Sequence, residues 1–560
     1  TALPCPSARA RSAPPSGTCP AERLLDEHAL EPLLAELLAH VLELGRAKAG
    51  ERAELIERLR APAGMAAGWA EASLRERLER VRGKLSVLAF TVIVGVCAAG
   101  LSLGTDLLIR RLHWLRGELL EQCGARAAAG RVVWTVALAL VAHGCVRVCP
   151  QCAGSGIPEL KLILSSAPSA TMVSYLSATT LMCKLVGIVC TIGAGLSVGR
   201  EGPFVHVSCC VAFLLAGQAI RSSPRHLAAV LRAAAAAGVA FTFGAPIGGL
   251  LFAAEASVTV FRVSHLPRAL VCALSGLFAV SWLNYGSLAP FKATAVEPAH
   301  ALTVAQVAAI VGLGVVCALL AAGFNGLLWQ LLLLKEARVR TPGAQLLAVL
   351  AVSLLTALIA SDDPLGSPLR LVGQQPAMLL PPLVGREAPR ANATAGGGEA
   401  LIEGGAHSAL VWLCAGLAKL ALTACTIALP IPCGLFIPTF IAGAFVGRAW
   451  AELLGALVAL DVEPGAYALL GASALTGAAT GTISTSVIAL ELTGLSAGEA
   501  SPLALACVVA ITLRSLVIRS VYDVIGTQRR LPGHALMMTR LPWHEPVSYT
   551  HLTLPTKRIV

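Results

Sequence analysis

Gly199-Arg200-Glu201-Gly202-Pro203 sits between two apolar runs, residues 178–199 and 203–220. A second loop of the same build, Gly434-Leu435-Phe436-Ile437-Pro438, opens another apolar run 235 residues later. Glycine frees the backbone to take unusual angles, and proline suits the first turn of a helix. Each loop therefore reads as a helix start, where unpaired N–H groups and the positive end of the helix dipole collect. Inside a membrane those donors need a partner, and a small anion meets that need. Two such loops in corresponding halves of a chain point to a transport site where repeats meet.

Composition supplies the membrane. Of 560 residues, 56% are hydrophobic and 13% charged, whereas soluble domains carry roughly 25% charged residues. Weakly charged stretches recur near 85–108, 132–149, 178–199, 203–220, 233–260, 268–284, 302–334, 344–360, 408–429, 435–459, 466–490 and 502–521. Crossing the hydrocarbon takes about 20 apolar residues per helix, and several stretches are too short or too interrupted by Gly and Pro. Broken helices at membrane depth occur only where the backbone is buried in protein or lines a cavity. The reading is an all-α membrane protein, a channel or transporter rather than a receptor or anchored enzyme. Its expected surroundings are the lipid bilayer, with no nucleic acid.

The formal net charge is +11. Arg75, Arg77, Arg80, Arg82 and Lys84 precede the first apolar run, and the positive-inside rule then puts the N-terminus in the cytosol. Topology is the plain account of these charges; positive mouths that steer an anion are the functional one. The 17 cysteines lie mostly within apolar runs, as at Cys97, Cys183, Cys190, Cys209 and Cys210. Cys149-Pro-Gln-Cys152 is a lone C-x-x-C without a second pair or His cluster at zinc spacing. The thiols read as small apolar fillers, and neither a metal nor a cofactor is expected.

Residues 1–83 are expected to form a cytosolic N-terminal segment, disordered over its first 20 residues and helical over 22–83. A cleavable signal peptide is not expected, because the first 80 residues are polar. The membrane domain spans 84–526. Residues 527–546 read as the start of a truncated cytosolic C-terminal linker, and 547–560 as a foreign tail. A polar insert over 361–407 holds Asn392-Ala393-Thr394, a glycosylation sequon that favours an extracellular loop.

Glu201 is the unusual residue of the first loop. A carboxylate between apolar segments is costly and functional by default. Beside helix N-termini, ionised Glu201 can occupy the place of a permeating anion, and protonation would loosen that hold. The alternative is a structural ion pair with Arg200. The spacing Gly-x-x-x-Pro also occurs at Gly154–Pro158, Gly286–Pro290, Gly385–Pro389 and Gly498–Pro502. Those at 286 and 385 run into polar sequence and read as surface turns, that at 498 as an ordinary helix start, and Gly154 stays ambiguous on pattern alone. Ser155 alone reads as a loop hydroxyl, Tyr522 as an interfacial anchor, and His206 as a satisfied buried polar group.

Three stretches read together are more specific: Gly154-Ser155-Gly156-Ile157-Pro158-Glu159-Leu160, Gly199-Arg200-Glu201-Gly202-Pro203-Phe204-Val205-His206 and Gly434-Leu435-Phe436-Ile437-Pro438. They resemble, in order and spacing, the signature loops of the CLC family of voltage-gated chloride channels and transporters. Phe243-Gly244-Ala245-Pro246-Ile247-Gly248-Gly249, Glu491-Leu492-Thr493-Gly494 and Ser520-Val521-Tyr522-Asp523 extend the resemblance over about residues 85–540. It implies an inverted repeat of about 18 tilted and partly re-entrant helices, assembled as a homodimer with one pore per subunit. It also implies chloride contacts from Ser155, Gly156 and Tyr522 on the inner side, with Leu435 and Phe436 offering backbone N–H groups. Gly199, Arg200 and Gly202 would surround the outer site, with Glu201 as the gate. Chloride is then the transported ligand rather than a cofactor.

The family contains passive channels and proton-coupled exchangers. Exchangers resembling this chain end the segment after Phe-Gly-Ala-Pro with two glutamates, whereas here Glu255 is followed by Ala256. Alanine binds no proton, so a plasma-membrane chloride channel is the reading, and an exchanger relaying protons through Glu255 the alternative. A truncated, non-conducting scaffold is another alternative, since members of this resemblance usually continue into CBS domains. A membrane hydrolase or metalloenzyme is disfavoured for want of an H-E-x-x-H or G-x-S-x-G arrangement.

Overall fold

The structure is a computed structural model and describes residues 63–165, 170–221, 223–257, 266–282, 303–360, 372, 383–384, 406–458, 462–494 and 500–529. Residues 1–62, most of the 361–407 insert with Asn392, and 530–560 lie outside the described residues. The chain divides between Ser86 and Val87, and every packing contact and site residue discussed below lies in Val87–Val560.

Among the described residues the chain is helical, with no strand beyond two isolated bridges. In order the helices are α1 (Ala63–Cys123), α2 (Ala127–Val148), α3 (Ile157–Ser165), α4 (Ala170–Tyr175), α5 (Ala178–Gly193) and α6 (Glu201–Leu215). Then follow α7 (Gln218–Arg221), α8 (Pro224–Phe243), α9 (Pro246–Ser257), α10 (Leu266–Trp282), α11 (Val304–Arg338) and α12 (Pro342–Ile359). The remainder are α13 (Ala406–Ala428), α14 (Phe436–Val458), α15 (Pro464–Thr480), α16 (Ser484–Thr493), α17 (Ala500–Val517) and α18 (Val521–Gln528). Among the described residues eight spans, including Leu85–Cys123 in α1 and the whole of α11, are long and apolar enough to cross a membrane. Helices α5, α6, α9 and α10 are apolar but shorter, the expected mark of segments that stop inside the protein.

Two apolar runs that read as continuous, 233–260 and 466–490, each fold as two helices. Gly244 (φ 68°) ends α8 and Gly481 (φ 77°) ends α15, both in the left-handed conformation that terminates a helix. Hydropathy does not register these breaks, because the residues on both sides are equally apolar.

Helices approach closely where side chains vanish. A methyl group at Gly443 or Gly447 of α14 would collide with the backbone of Gly471 or Tyr467 in α15, the small-residue packing of membrane interiors. Polar struts hold the less regular backbone. Asn325 donates Nδ2 to the carbonyls of Ala479 (3.2 Å) and Arg519 (2.9 Å). Arg514 donates to those of Ala478 (2.7 Å) and Ile518 (3.0 Å). Together they satisfy the carbonyls at the end of α15 and at the turn entering α18, groups that lipid would leave unpaired.

Candidate functional site

Backbone hydrogen bonds tie the three loops into one cluster. The Gly154 N–H donates to the Ile431 carbonyl (2.9 Å), and the Cys433 N–H donates to the Gly154 carbonyl (3.4 Å). Gly199 and Gly434 exchange N–H to C=O bonds of 2.8 and 2.9 Å. Helices α3, α6 and α14 therefore all begin in this cluster, with first-turn N–H groups that have no intrahelical acceptor. The contacts require small residues: a Cβ on Gly202 would lie 2.7 Å from Ser155 Cβ. Gly156 adopts φ 83°, and a Cβ there would lie 2.6 Å from His206 Nδ1.

Glu201 is buried at the start of α6, its carboxylate folded back against Gly199. The backbone N–H groups of Ile437, Arg200 and Glu201 itself approach that carboxylate, so two of the helix starts converge on it. Its Oε2 has no hydrogen-bond partner. Arg200 turns elsewhere: its guanidinium pairs with Asp106 of α1 and reaches toward the Thr242 carbonyl (3.5 Å). The ion pair between Arg200 and Glu201 weighed from sequence is replaced by this longer-range one.

Ser155 and Tyr522 border the same cluster, Ser155 directly against Gly202. Ser155 Oγ accepts the Ile157 N–H at 3.3 Å, fixing the hydroxyl at the head of α3. Tyr522 is buried, with Glu201 close enough to act on its hydroxyl electrostatically. Its ring meets Phe252 edge-on at 6.4 Å; Phe252 meets Phe436 at 5.8 Å, and Phe436 meets Phe243 at 4.6 Å. Ser520 caps α18 by accepting the Asp523 N–H (3.3 Å) and donating to Asp523 Oδ2 (2.7 Å). Lys161 of α3 pairs with Asp523 at 3.1 Å, and Arg529 pairs with the buried Glu159. The two pairs fasten the Ser155 helix to the Tyr522 helix. Beside the second pair a cavity of about 30 Å³ is lined by Ser155, Glu159, Lys335, Leu435 and Arg529 among others, room for about one water-sized species.

Ser155, Gly156, Gly199, Glu201, Gly202, Leu435, Phe436 and Tyr522 are thus brought together from sequence positions up to 367 apart. Ala256 is not among them; it lies in α9, with its side chain outside the described residues. Glu255 caps α16, accepting from Ser484 N (3.0 Å) and Oγ (2.8 Å). Glu491, at the far end of α16, caps α9 in return, accepting from Ile247 N (3.1 Å) and Gly248 N (2.7 Å). This reciprocal capping was not read from the sequence; a glutamate near each helix end was the available signal. His206 is half satisfied: Nε2 meets the Tyr175 carbonyl at 2.8 Å, while Nδ1 has no partner. The G-x-S-x-G spacing does occur, at Gly195-Leu196-Ser197-Val198-Gly199, contrary to the sequence reading. The Ser197 hydroxyl pairs with Thr423 Oγ1 (2.8 Å) rather than a base, so no nucleophile is built there. Among the described residues no Cys, His or carboxylate cluster is arranged to hold a metal.

A family profile described as voltage gated chloride channel matches residues 137–515. Human chloride channel protein 1 is 30% identical over 453 residues, covering 72% of this chain and 43% of that protein. Chloride channel protein F of Dictyostelium discoideum is 32% identical over 426 residues, covering 72% and 50%. The chain spans about half the length of the curated relatives it matches. A crystal structure of a eukaryotic CLC transporter superposes with TM-score 0.65 at 25% identity, covering 80% of this chain and 75% of that one. A slow cyanobacterial Cl−/H+ antiporter gives TM-score 0.65 at 18% identity, covering 79% and 97%, a likeness of fold. The all-α, inverted-repeat membrane architecture expected from the signature loops is the one found.

Proposed function

The chain belongs to the voltage gated chloride channel family, and from that premise we propose that it is a passive, voltage-gated chloride channel of the plasma membrane with Glu201 as its protonatable gate. The observation that carries this reading is the Glu201 carboxylate lying against Gly199, faced by the N–H groups at the starts of α6 and α14. A carboxylate held there stands where a chloride would be held, by the same donors. An anion and an ionised Glu201 compete for them; protonation weakens the side chain's claim and frees the path.

Ser155, Gly156, Leu435, Phe436 and Tyr522 hold the chloride on the inner side, and Gly199, Arg200 and Gly202 surround the outer position. The phenyl rings of Phe243, Phe252 and Phe436 close off the flank and exclude water, which strengthens every N–H interaction with the ion. The functional assembly is a homodimer with one pore per subunit, the N-terminus cytosolic and the Asn392 loop outside. No cofactor takes part and no bond is made or broken.

Ala256 favours a channel over an exchanger, because it offers no proton site behind the gate. The Glu255 carboxylate, engaged at the N-terminus of α16, supports the same reading. Reversal potentials across a pH gradient test it. A channel follows the chloride gradient alone; a reversal potential that moves with the proton gradient makes the protein an exchanger. Surface-expressed protein that passes no anion makes it a scaffold.

A further inference from the structure

Helices α2 and α5 pack antiparallel. At one end of their seam Trp134 Nε1 and Thr135 Oγ1 of α2 donate to the carbonyls of Gly193 and Ala194, where α5 ends, at 2.9 and 3.0 Å. Farther along, Gly187 lies opposite Cys145: a Cβ there would sit 3.6 Å from Cys145 Cβ. One turn on from Cys145 and one turn back from Gly187, the same register brings Cys149 to Cys183. Their side chains meet, and Cys149 Sγ lies 3.4 Å from Thr180 Oγ1 of α5. Both are free thiols. The Cys149-Pro-Gln-Cys152 motif thus meets a further thiol from another helix, which spacing in the sequence does not reveal.

The thiols differ in access. Cys149 is 5% exposed and Cys152 fully buried, whereas Cys183 is partly exposed, between Met182 and Val186 on the open face of α5. An oxidant therefore reaches Cys183 first, and Cys149 is held where it can resolve the product. Cys149 also caps α2 and begins the short segment that ends in Gly154, the first glycine of the loop cluster. Lys184, next to Cys183 in α5, donates its ammonium to the Gly154 carbonyl at 2.8 Å. That segment is already fastened to α5 at its Gly154 end, and a bond between Cys149 and Cys183 would fasten the other.

We propose that Cys149 and Cys183 are a redox-sensitive dithiol that a hydroperoxide converts into a disulfide, clamping the entry to the Gly154 loop onto α5 and weakening anion binding there. The Cys183 sulfur attacks one peroxide oxygen, the O–O bond breaks, and a sulfenic acid and one water result. The Cys149 sulfur then attacks that of Cys183, the S–O bond breaks, and a second water leaves. The two thiols give up two protons and two electrons, which hydrogen peroxide takes up in becoming two waters. A dithiol reductant reverses the bond by exchange. Helix α2 ends on the side that the topology proposed above makes cytosolic, where thiols are kept reduced, so the bond forms under oxidative load. A disulfide holds its sulfurs at about 2.05 Å, and closure from thiol contact draws Cys149 toward α5. That movement loads the backbone bonds joining Gly154 to Ile431 and Cys433, next to Ser155. Formation of the disulfide is independent of the function proposed above; only its effect on anion binding rests on that reading.

The test treats the purified full chain with hydrogen peroxide, alkylates the remaining thiols and reads the digest by mass spectrometry, with and without dithiothreitol. Peptides joined through Cys149 and Cys183 and released by dithiothreitol are the expected product. A Cys149–Cys152 link in their place, or no link at all, overturns the proposal. The link should persist in Cys152→Ala and be lost in Cys183→Ala. Bromide titration by calorimetry in gluconate buffer reads the consequence. Oxidised wild type is expected to bind bromide about fivefold more weakly than reduced wild type, the low end of coupling between linked sites, and Cys183→Ala to be insensitive to peroxide. Equal binding by oxidised and reduced wild type overturns the clamp. A reduced chain that binds no bromide refutes the anion-path reading alone, and the mass spectra still decide the disulfide.

Discussion

Replacing Gly156 with alanine tests the packing on which the loop cluster rests. The backbone there has φ 83°, and holding an L-residue in left-handed territory costs roughly 1–2 kcal/mol. The added methyl would lie 2.6, 2.8 and 2.9 Å from Nδ1, Cγ and Cβ of His206. That ring cannot swing away cheaply, being buried with Nε2 against the Tyr175 carbonyl at 2.8 Å. Overpacking of this kind adds roughly 1–3 kcal/mol, so Gly156→Ala should destabilise the chain by about 2–5 kcal/mol. Thermal unfolding of purified protein measures it. In a His206→Ala background the Nδ1 and Cγ clashes vanish and only the Cβ contact remains. The second substitution should therefore cost about 1–2 kcal/mol less there, a coupling that a double-mutant cycle isolates. Unfolding of Gly156→Ala together with wild type, or an equal cost in both backgrounds, would refute the packing argument.

Glu201→Ala should leave anion currents that respond weakly to voltage and to external pH, recorded by patch clamp; unchanged gating would place the gate at another carboxylate. Glu491→Ala removes the acceptor of two N–H groups at the start of α9 and should cost about 1–2 kcal/mol in thermal unfolding, with Glu491→Gln milder. Asp523→Asn breaks a partly exposed pair with Lys161, so its stability cost should stay below about 1 kcal/mol. Its larger effect should fall on bromide affinity, because Asp523 Oδ2 also accepts the hydroxyl of Ser520, the N-cap of the helix that carries Tyr522; unaltered affinity would disconnect that contact from the site.

The loops are legible in the sequence because they combine two rare features, glycine and proline at fixed spacing and a carboxylate inside apolar sequence. The clamps between α3 and α18 were not readable. Glu159 and Arg529 are 370 residues apart, and nothing local to either names its partner. Arg200 hid its partner for the same reason: the neighbouring carboxylate stood only as an alternative, and nothing local pointed to Asp106, which its guanidinium meets. The splits at Gly244 and Gly481 were hidden by uniform hydropathy and decided by the sign of φ.

Composition and the Gly199–Pro203 and Gly434–Pro438 loops by themselves determined a helical membrane protein with an anion-seeking centre, because burial of apolar length and of helix starts follows from local chemistry. Tertiary structure decided what surrounds that centre. Joining three helix starts through Gly154, Gly199 and Gly434, crossing Glu255 with Glu491, and setting Lys184 and Lys419 against distant carbonyls are all long-range pairings. Their energies depend on which backbones meet in a low-dielectric interior, and chain order does not encode that meeting locally.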